Sequence, residues 1–370
     1  MKVLFVIHSL IVGGAETIVT NYVIALKKMG IDVALLELTH EDTFLSERVK
    51  KSNIEYYTLP SQSSIFARIL RRIYPQITVR RFNNTVKDIS PDVIHFHTIF
   101  HNMDEIDFPF SRCVLTFHSR LKRSKTSSRY DFVLPLIGRL AQKGMTFISI
   151  SSDVDNDVHG LFPYAKSVII PNGMDLNEIR SKRYNKRVLC KELNIPENSF
   201  LVGQVARFHE VKNHLFTLNL FGRIAKQYGN AYLIFIGTGT PEELELINHK
   251  ISELGINDKV VLMGLRNDAT AIMSCFDVVL LPSKSEAFSL VMIEAQALKI
   301  RSVASNNIPA EIECNPNCFR LSLDAPIEQW IETIMGSNEH ETDYSIGSYD
   351  IVNVMAKHID LYSDLYNSKN

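Results

Sequence analysis

Two glutamates, Glu286 and Glu294, separated by seven residues, stand in the run Pro282-Ser283-Lys284-Ser285-Glu286-Ala287-Phe288-Ser289-Leu290-Val291-Met292-Ile293-Glu294-Ala295. A strand candidate, Val278–Leu281, leads into this polar turn, and a helix is expected to begin near Ser289. The free N–H groups at such a helix start suit a phosphate. A carboxylate accepts hydrogen bonds from two hydroxyls, which suits a sugar at one position and a ribose at the other. As bare spacing the pair is weak, because ordinary helix charges explain most such pairs. A second run, Gly203-Gln204-Val205-Ala206-Arg207-Phe208-His209-Glu210-Val211-Lys212-Asn213, puts Arg207 and Lys212 just past a strand. Two fixed cations there can neutralise a pyrophosphate and the charge that grows on it as it leaves, although surface cations are the default for any such pair.

Two further features lie in the first half. The loop Ser9-Leu10-Ile11-Val12-Gly13-Gly14-Ala15-Glu16 joins a strand to a helix, and its glycines let backbone approach a ligand at a helix N-terminus. It is not the G-x-G-x-x-G dinucleotide pattern, since the third glycine and its spacing are absent, and a tight turn without a ligand remains open. Three histidines close strands: His95 and His97 in Val93-Ile94-His95-Phe96-His97, and His118 in Leu115-Thr116-Phe117-His118. A strand-end histidine can hydrogen-bond a reacting sugar or its leaving group. Here His118 is read as functional and His95 as structural, and the three lack metal-site spacing.

The elements that must position these residues follow one rhythm. Short β-branched runs (Val3–His8, Val33–Leu38, Tyr56–Leu59, Val93–His97, Val114–Phe117, Phe147–Ile150 and Val168–Ile170) alternate with longer amphipathic stretches such as Ala15–Met29. The second half repeats the pattern with Leu201–Ala206, Tyr232–Ile236, Val260–Met263, Val278–Leu281 and Val303–Ala304, and with helical stretches Leu215–Tyr228 and Leu290–Leu298. Such alternation implies an α/β chain of two doubly wound parallel sheets, with ligands in a central cleft at the carboxyl ends of the strands. The turn Pro171-Asn172-Gly173 marks the boundary. The expected domains are 1–175 and 176–348, with charged Arg180–Lys191 as a connector and a final amphipathic helix, Tyr349–Tyr366, in the segment of about 349–370.

Composition narrows the classes. With 45% apolar and 22% charged residues the 370-residue chain can build two real cores. No apolar run approaches the roughly 18 residues of a membrane-spanning helix, and the opening apolar stretch reads as a buried strand and not as a signal peptide. Five scattered cysteines argue against a disulfide framework, and Cys314 with Cys318 lacks the second pair of a zinc site. No metal is expected, and the cytoplasm is the expected compartment. From Ser61 to Tyr130 twelve Lys/Arg face five Asp/Glu, so a basic segment is hidden in a net charge of −1. Arg68, Arg71 and Arg72 lie in an apolar-basic run suited either to a peripheral membrane helix at the inner face of the membrane or to a solvated helix face. Nucleic acid is disfavoured, because no recognition motif is present and the whole chain is near neutral.

Taken in order, the residues resemble the family-four group of retaining glycosyltransferases with two Rossmann-like domains, the GT-B fold. The resemblance spans the chain: Gly13-Gly14-Ala15-Glu16, Ser90-Pro91-Asp92-Val93-Ile94-His95-Phe96-His97, Thr116-Phe117-His118, Ile170-Pro171-Asn172-Gly173-Met174-Asp175, Arg207 with Lys212-Asn213, Gly237-Thr238-Gly239, and the glutamate pair. The run Ile293-Glu294-Ala295-Gln296-Ala297 looks most like capsule- and exopolysaccharide-building members. The resemblance implies a nucleoside-diphosphate sugar as donor, expected to be a UDP-sugar, a glycan or lipid-linked acceptor, and no cofactor. It places Gly14 near the donor phosphate or acceptor, His118 at the transferred sugar, and Arg207 and Lys212 on the diphosphate. Glu286 would meet sugar hydroxyls, backbone of Phe288, Ser289 and Leu290 sugar and phosphate, and Glu294 the ribose. His118 and Glu286 are the catalytic candidates, while Gly13 and His97, with the three arginines, fall on the acceptor or membrane side. The final helix is expected to cross back onto the first domain. Ala287, Ser289 and Lys299 stand where the family often has glycine, which bears on donor choice. A nucleotide-sugar epimerase of this fold and a non-catalytic nucleotide-sugar-binding partner are the alternatives; a nicotinamide oxidoreductase is disfavoured by the missing glycine.

Overall fold

The computed structural model describes residues 1–11, 13–59, 76–121, 129–337 and 346–367. Arg68, Arg71 and Arg72, with the proposed membrane-facing helix around them, lie outside the described residues. The chain divides into two compact units, Met1–Met174 with Tyr349–Asn370, and Asp175–Ser348.

In the first unit the apolar runs become β1 (Lys2–Ile7), β2 (Asp32–Glu37), β3 (Glu55–Thr58), β4 (Val93–Phe96), β5 (Cys113–Phe117), β6 (Thr146–Ser149) and β7 (Lys166–Ile169). They form one sheet in the order β3-β2-β1-β4-β5-β6-β7, every pair parallel. Helices covering both faces remove the need for polar alternation, so β1 runs Val3 to Ile7 without an exposed residue. The winding direction reverses between β1 and β4, which opens a crevice at their carboxyl ends. The residues that leave those ends are the glycine loop, His97 and, one strand over, His118.

The last helix, Ile351–Asn367, buries Ile351, Val354, Met355, His358, Tyr362 and Leu365, the stripe its helical spacing dictates. It belongs to the first unit and is stitched there by polar as well as apolar contacts. Tyr362 Oη lies 2.6 Å from His95 Nδ1, and the Ile351 N–H donates to the Met174 carbonyl at 2.8 Å. A β-carbon at Gly173 would stand 2.7 Å from Val354 Cβ, so a glycine is needed for that helix to seat.

The second unit holds β8 (Phe200–Val205), β9 (Ala231–Ile236), β10 (Val260–Leu262), β11 (Val278–Leu281), β12 (Arg301–Ser305) and β13 (Cys318–Leu321). Their order, β10-β9-β8-β11-β12-β13, is again parallel and again reverses beside its first strand. Two features depart from the sequence reading. Arg180–Lys191 is not a bare connector: it contributes to two short helices, Leu176–Ser181 and Lys186–Glu192, within the second unit. The strand Cys318–Leu321 went unanticipated, and β12 starts earlier, at a charged residue. Arg301 is nevertheless buried, donating to the Thr333 and Ser337 carbonyls at 2.6 and 2.7 Å and lying over the Phe319 ring.

The helix Leu290–Ala297 ends in a tight reversal, with the Ile300 N–H bonded to the Ala295 carbonyl at 2.9 Å and Lys299 at φ 62°. This is the left-handed cap that ordinarily selects glycine, which explains the glycine expected there. Ala287 has no such positive φ, so its methyl is tolerated by the backbone. Lys299→Gly is expected to raise stability by about 1 kcal/mol, read as a higher urea midpoint for the second unit; an unchanged or lower midpoint would show that contacts of the lysine side chain outweigh the backbone cost.

Candidate active site

Within the second unit, the loop after β8 and the turn after β11 meet at the switch point of the sheet. The first is anchored from the neighbouring strand. Gly237, at φ 148°, packs so close to the Ala206 carbonyl that any side chain would collide with it, and the Phe208 N–H donates to the Thr238 carbonyl at 2.9 Å. The Gly237-Thr238-Gly239 segment thus fixes the backbone on either side of Arg207. Arg207 itself is exposed, and its guanidinium has no partner among the described residues. Five N–H donors are therefore available for an anion.

Lys212 is held differently. Gln204, fully buried at the end of β8, donates from Nε2 to the Lys212 carbonyl at 2.9 Å and accepts from Thr217 Oγ1 at 2.7 Å. The Lys212 ammonium meets Glu286 Oε1 at 2.5 Å, the two side chains being 28% and 11% exposed. Ser283 Oγ donates to the same oxygen at 2.8 Å. The turn is tied down on its other side, where the Glu286 N–H reaches the Asn307 carbonyl at 3.3 Å and Ser305 Oγ donates to the Ser283 carbonyl. Asn213 Nδ2 to the Pro282 carbonyl at 3.0 Å and the Lys284 N–H to the Val211 carbonyl at 2.8 Å join the two loops directly. Lys212 is therefore a cation shared with Glu286, a pairing the sequence did not indicate, and Glu286 keeps Oε2 without a partner among the described residues.

Ser289 caps the helix Leu290–Ala297, its hydroxyl accepting from the Met292 N–H at 3.4 Å. Its hydroxyl serves the helix, and the N–H groups of Leu290 and Val291 are left without intrahelical acceptors. Phe288 and Leu290 flank this start and are half-buried. Glu294 lies one turn and more into the helix, partly open to solvent though its carboxyl is surrounded mainly by protein. Burial pushes that carboxyl up to about 7, against the opposing pull of the Thr270 hydroxyl, 3.3 Å away, and of the Lys182 charge. The two glutamates thus sit in unlike environments, one paired with a cation and one merely desolvated.

The first unit brings together a second set. Gly13 caps the helix Gly14–Lys28 in an extended conformation open to any residue, so φ does not explain that glycine. The preceding backbone is clamped by a residue the sequence reading missed. Glu37, fully buried at the end of β2, accepts the Leu10 N–H at 2.7 Å, lies 2.8 Å from His40 Nδ1 and accepts from the Tyr56 hydroxyl. Thr43 Oγ1 donates to the Leu10 carbonyl at 2.7 Å. The available signal was an acid among apolar residues in Val-Ala-Leu-Leu-Glu-Leu, where a strand buried on both faces needs a partner for any charge.

Both nitrogens of His95 are engaged, with Tyr362 Oη and with Thr116 Oγ1 at 2.6 Å each, so it holds the fold. His97 Nδ1 lies 2.9 Å from His118 Nε2. Burial holds His97 well below the ordinary histidine value and takes His118 down to about 4, so both rings are neutral at pH 7.

Comparison with known proteins assigns both halves. Residues 12–178 match the family described as Glycosyltransferase Family 4, and residues 185–317 the family described as Glycosyl transferases group 1. EpsF of Bacillus subtilis (strain 168), named as a glycosyltransferase, is 26% identical over 346 residues, covering 90% of this chain and 86% of its own. The UDP-Gal:alpha-D-GlcNAc-diphosphoundecaprenol alpha-1,3-galactosyltransferase of Escherichia coli is 30% identical over 146 residues, 38% of this chain and 37% of its own. Among solved structures, HepE of Anabaena in complex with UDP and glucose superimposes with a TM-score of 0.77 at 18% identity, covering 98% of this chain and 100% of that one. The chain thus carries a Glycosyltransferase Family 4 domain followed by a Glycosyl transferases group 1 domain, which makes it a glycosyltransferase, and it has the GT-B fold.

Glu294 gives a prediction independent of ligand. A carboxyl raised above its unfolded value of about 4.3 binds its proton more tightly when folded, so stability from this group is present at low pH and declines as pH rises to about 7. Glu294→Gln removes that decline. It should match the parent at pH 4.5 and exceed it at pH 8 by on the order of 1–2 kcal/mol, measured by urea denaturation; equal stability at both pH values would contradict the desolvated carboxyl.

Proposed function

We propose that the chain transfers a sugar, with retention of anomeric configuration and without a metal ion, from a UDP-sugar to a lipid-linked glycan in the synthesis of a surface polysaccharide such as an exopolysaccharide or capsule. The observation that carries this reading is the convergence of an unpaired guanidinium, a shared ammonium and a helix start whose first N–H groups lack intrahelical acceptors at one switch point. The donor and acceptor classes take support from the relatives, one named for a UDP-galactose donor and a diphosphoundecaprenol acceptor, one solved with UDP and glucose.

In this reading Arg207 and Lys212 hold the diphosphate, with the N–H groups of Leu290 and Val291 adding their dipole. Glu286 Oε2 accepts from hydroxyls of the transferred sugar, while Lys212 and Ser283 keep its other oxygen fixed. Glu294 accepts from the ribose hydroxyls, and His118 contacts the transferred sugar. The bond from the anomeric carbon to the phosphate oxygen breaks as the acceptor oxygen bonds to that carbon on the same face, and the acceptor's proton passes to the departing diphosphate. The cations stabilise the charge that accumulates there, which a preorganised site does at no reorganisation cost. No protein nucleophile takes part.

The test is UDP release and product analysis over a panel of nucleotide-sugars, with lipid-linked acceptors supplied. Arg207→Ala should lower kcat by roughly 10²–10³ with the fold intact, and Glu286→Ala should abolish transfer. Full activity in both folded variants would remove the site, and a product of inverted configuration would remove the mechanism. For the lipid-linked acceptor, neutralising Arg68, Arg71 and Arg72 together should abolish sedimentation with anionic vesicles; unchanged partitioning would detach the basic segment from the acceptor.

A further inference from the structure

The His97 side chain makes one hydrogen bond among the described residues, from Nδ1 to His118 Nε2, although the residue is only 8% exposed. Its other nitrogen, Nε2, is sealed from solvent and has no hydrogen-bond partner. Around it lie Phe5, stacked on the imidazole at 5.3 Å and 14°, and the His95 ring at 4.1 Å, whose own nitrogens are both committed elsewhere. Nothing described there offers His97 Nε2 an acceptor. His118 differs: its Nδ1 has no partner among the described residues, and it is not among the buried atoms left without one.

A hydrogen bond between two neutral imidazoles contains one proton and therefore has a direction. In one arrangement His118 Nε2–H donates to His97 Nδ1, which obliges His97 to carry its proton on Nε2, a buried donor with nothing to receive it. In the other, His97 Nδ1–H donates to His118 Nε2, and only a lone pair is left facing the apolar wall. Orphaned buried donors are the rarer and costlier of the two defects. His118 must then carry its own proton on Nδ1, at the open edge of the ring.

We propose that His97 is a positioning residue that locks His118 in the Nδ1–H tautomer, so that His118 serves the reaction as a hydrogen-bond donor and not as the base for the acceptor hydroxyl. A ring whose only free position is an N–H cannot take a proton there. It can donate to a sugar oxygen, and it leaves the acceptor's proton to the diphosphate oxygen named above. The inference deepens the glycosyl-transfer reading and rests on it for the words sugar and acceptor; the tautomer itself belongs to the resting protein.

Long-range 15N–1H correlation spectra of the full chain, labelled with 15N-histidine at pH 7.5, read the tautomer directly, with His118→Gln used only to assign the His118 signals. The expected result is a protonated Nδ1 and a bare Nε2 on His118 in the parent. His97→Asn, whose amide nitrogen reproduces the donor, should keep that pattern and hold kcat within about threefold, whereas His97→Asp, whose carboxylate can only accept, should draw a proton onto His118 Nε2 and lower kcat at least about tenfold with KM little changed. A parent spectrum with Nε2–H on His118 overturns the proposal, as does a bare Nε2 on His118 in His97→Asp or a lost pattern in His97→Asn. Should His97→Asp fail to fold, the parent and His97→Asn spectra decide. Absence of transfer from every donor tried would instead count against the glycosyl-transfer reading, and the spectra would still report the tautomer.

Discussion

The ion pair between Lys212 and Glu286 is the contact on which the second unit's site depends. It joins the loop that leaves β8 to the turn that leaves β11, the two places where a doubly wound sheet offers its crevice. A pair this poorly exposed is not justified by its own strength, since desolvation consumes much of the attraction. Its value lies in what it orders. Glu286 is presented with one oxygen committed and one open, and Lys212 is kept beside Arg207's loop without being neutralised by a second acid among the described residues. The uncharged supports, Gln204 and Thr217 beneath the lysine, Ser283, Ser305 and Asn307 beneath the glutamate, make the geometry stiff. Removing either charged partner would leave the other half-desolvated, so substitutions here act on positioning and on charge together.

The two glutamates illustrate how environment divides roles between identical side chains. Glu286 has an ammonium against it; Glu294 has a hydroxyl and a distant lysine, and burial pushes it up to about 7. A ligand that donates two hydroxyls to Glu294 would favour its ionised form, so binding there would release a proton near neutral pH. The neighbouring helix cap and the left-handed Lys299 at its far end hold the short helix at a fixed length, which keeps Glu294 in register with the turn that carries Glu286.

Much of this was legible in the residues. Apolar runs of three to six residues alternating with amphipathic stretches gave the parallel strands, because strands covered on both faces read as largely continuous apolar runs. Arg207, Lys212, Glu286 and Ser289 could be placed because each follows a strand end by a few residues. What stayed hidden was held by contacts distant in sequence. Glu37 clamps Leu10 across twenty-seven positions, and the lysine–glutamate pair spans seventy-four, so neither appears in any local pattern. The strand Cys318–Leu321 was invisible because its four residues include Arg320, and its partner strand was read short because it opens with Arg301, whose burial depends on carbonyls at Thr333 and Ser337 far along the chain.

The histidines of the first unit follow the same logic in neutral form. Four of them, His95, His97, His118 and His358, lie near one another and all fall below the ordinary histidine value, chiefly because burial disfavours the imidazolium. Kept neutral, each ring owns one donor and one acceptor, and the network can satisfy them only in a particular order. His95 spends both on Tyr362 and Thr116, which ties the last helix to the centre of the sheet. His358 bonds the Val354 carbonyl through Nδ1, within its own helix. Only His97 and His118 are left to each other, and the pair ends at a nitrogen that is not sealed from solvent. The same burial that locks the C-terminal helix onto the first unit thereby keeps the imidazolium out of this cluster.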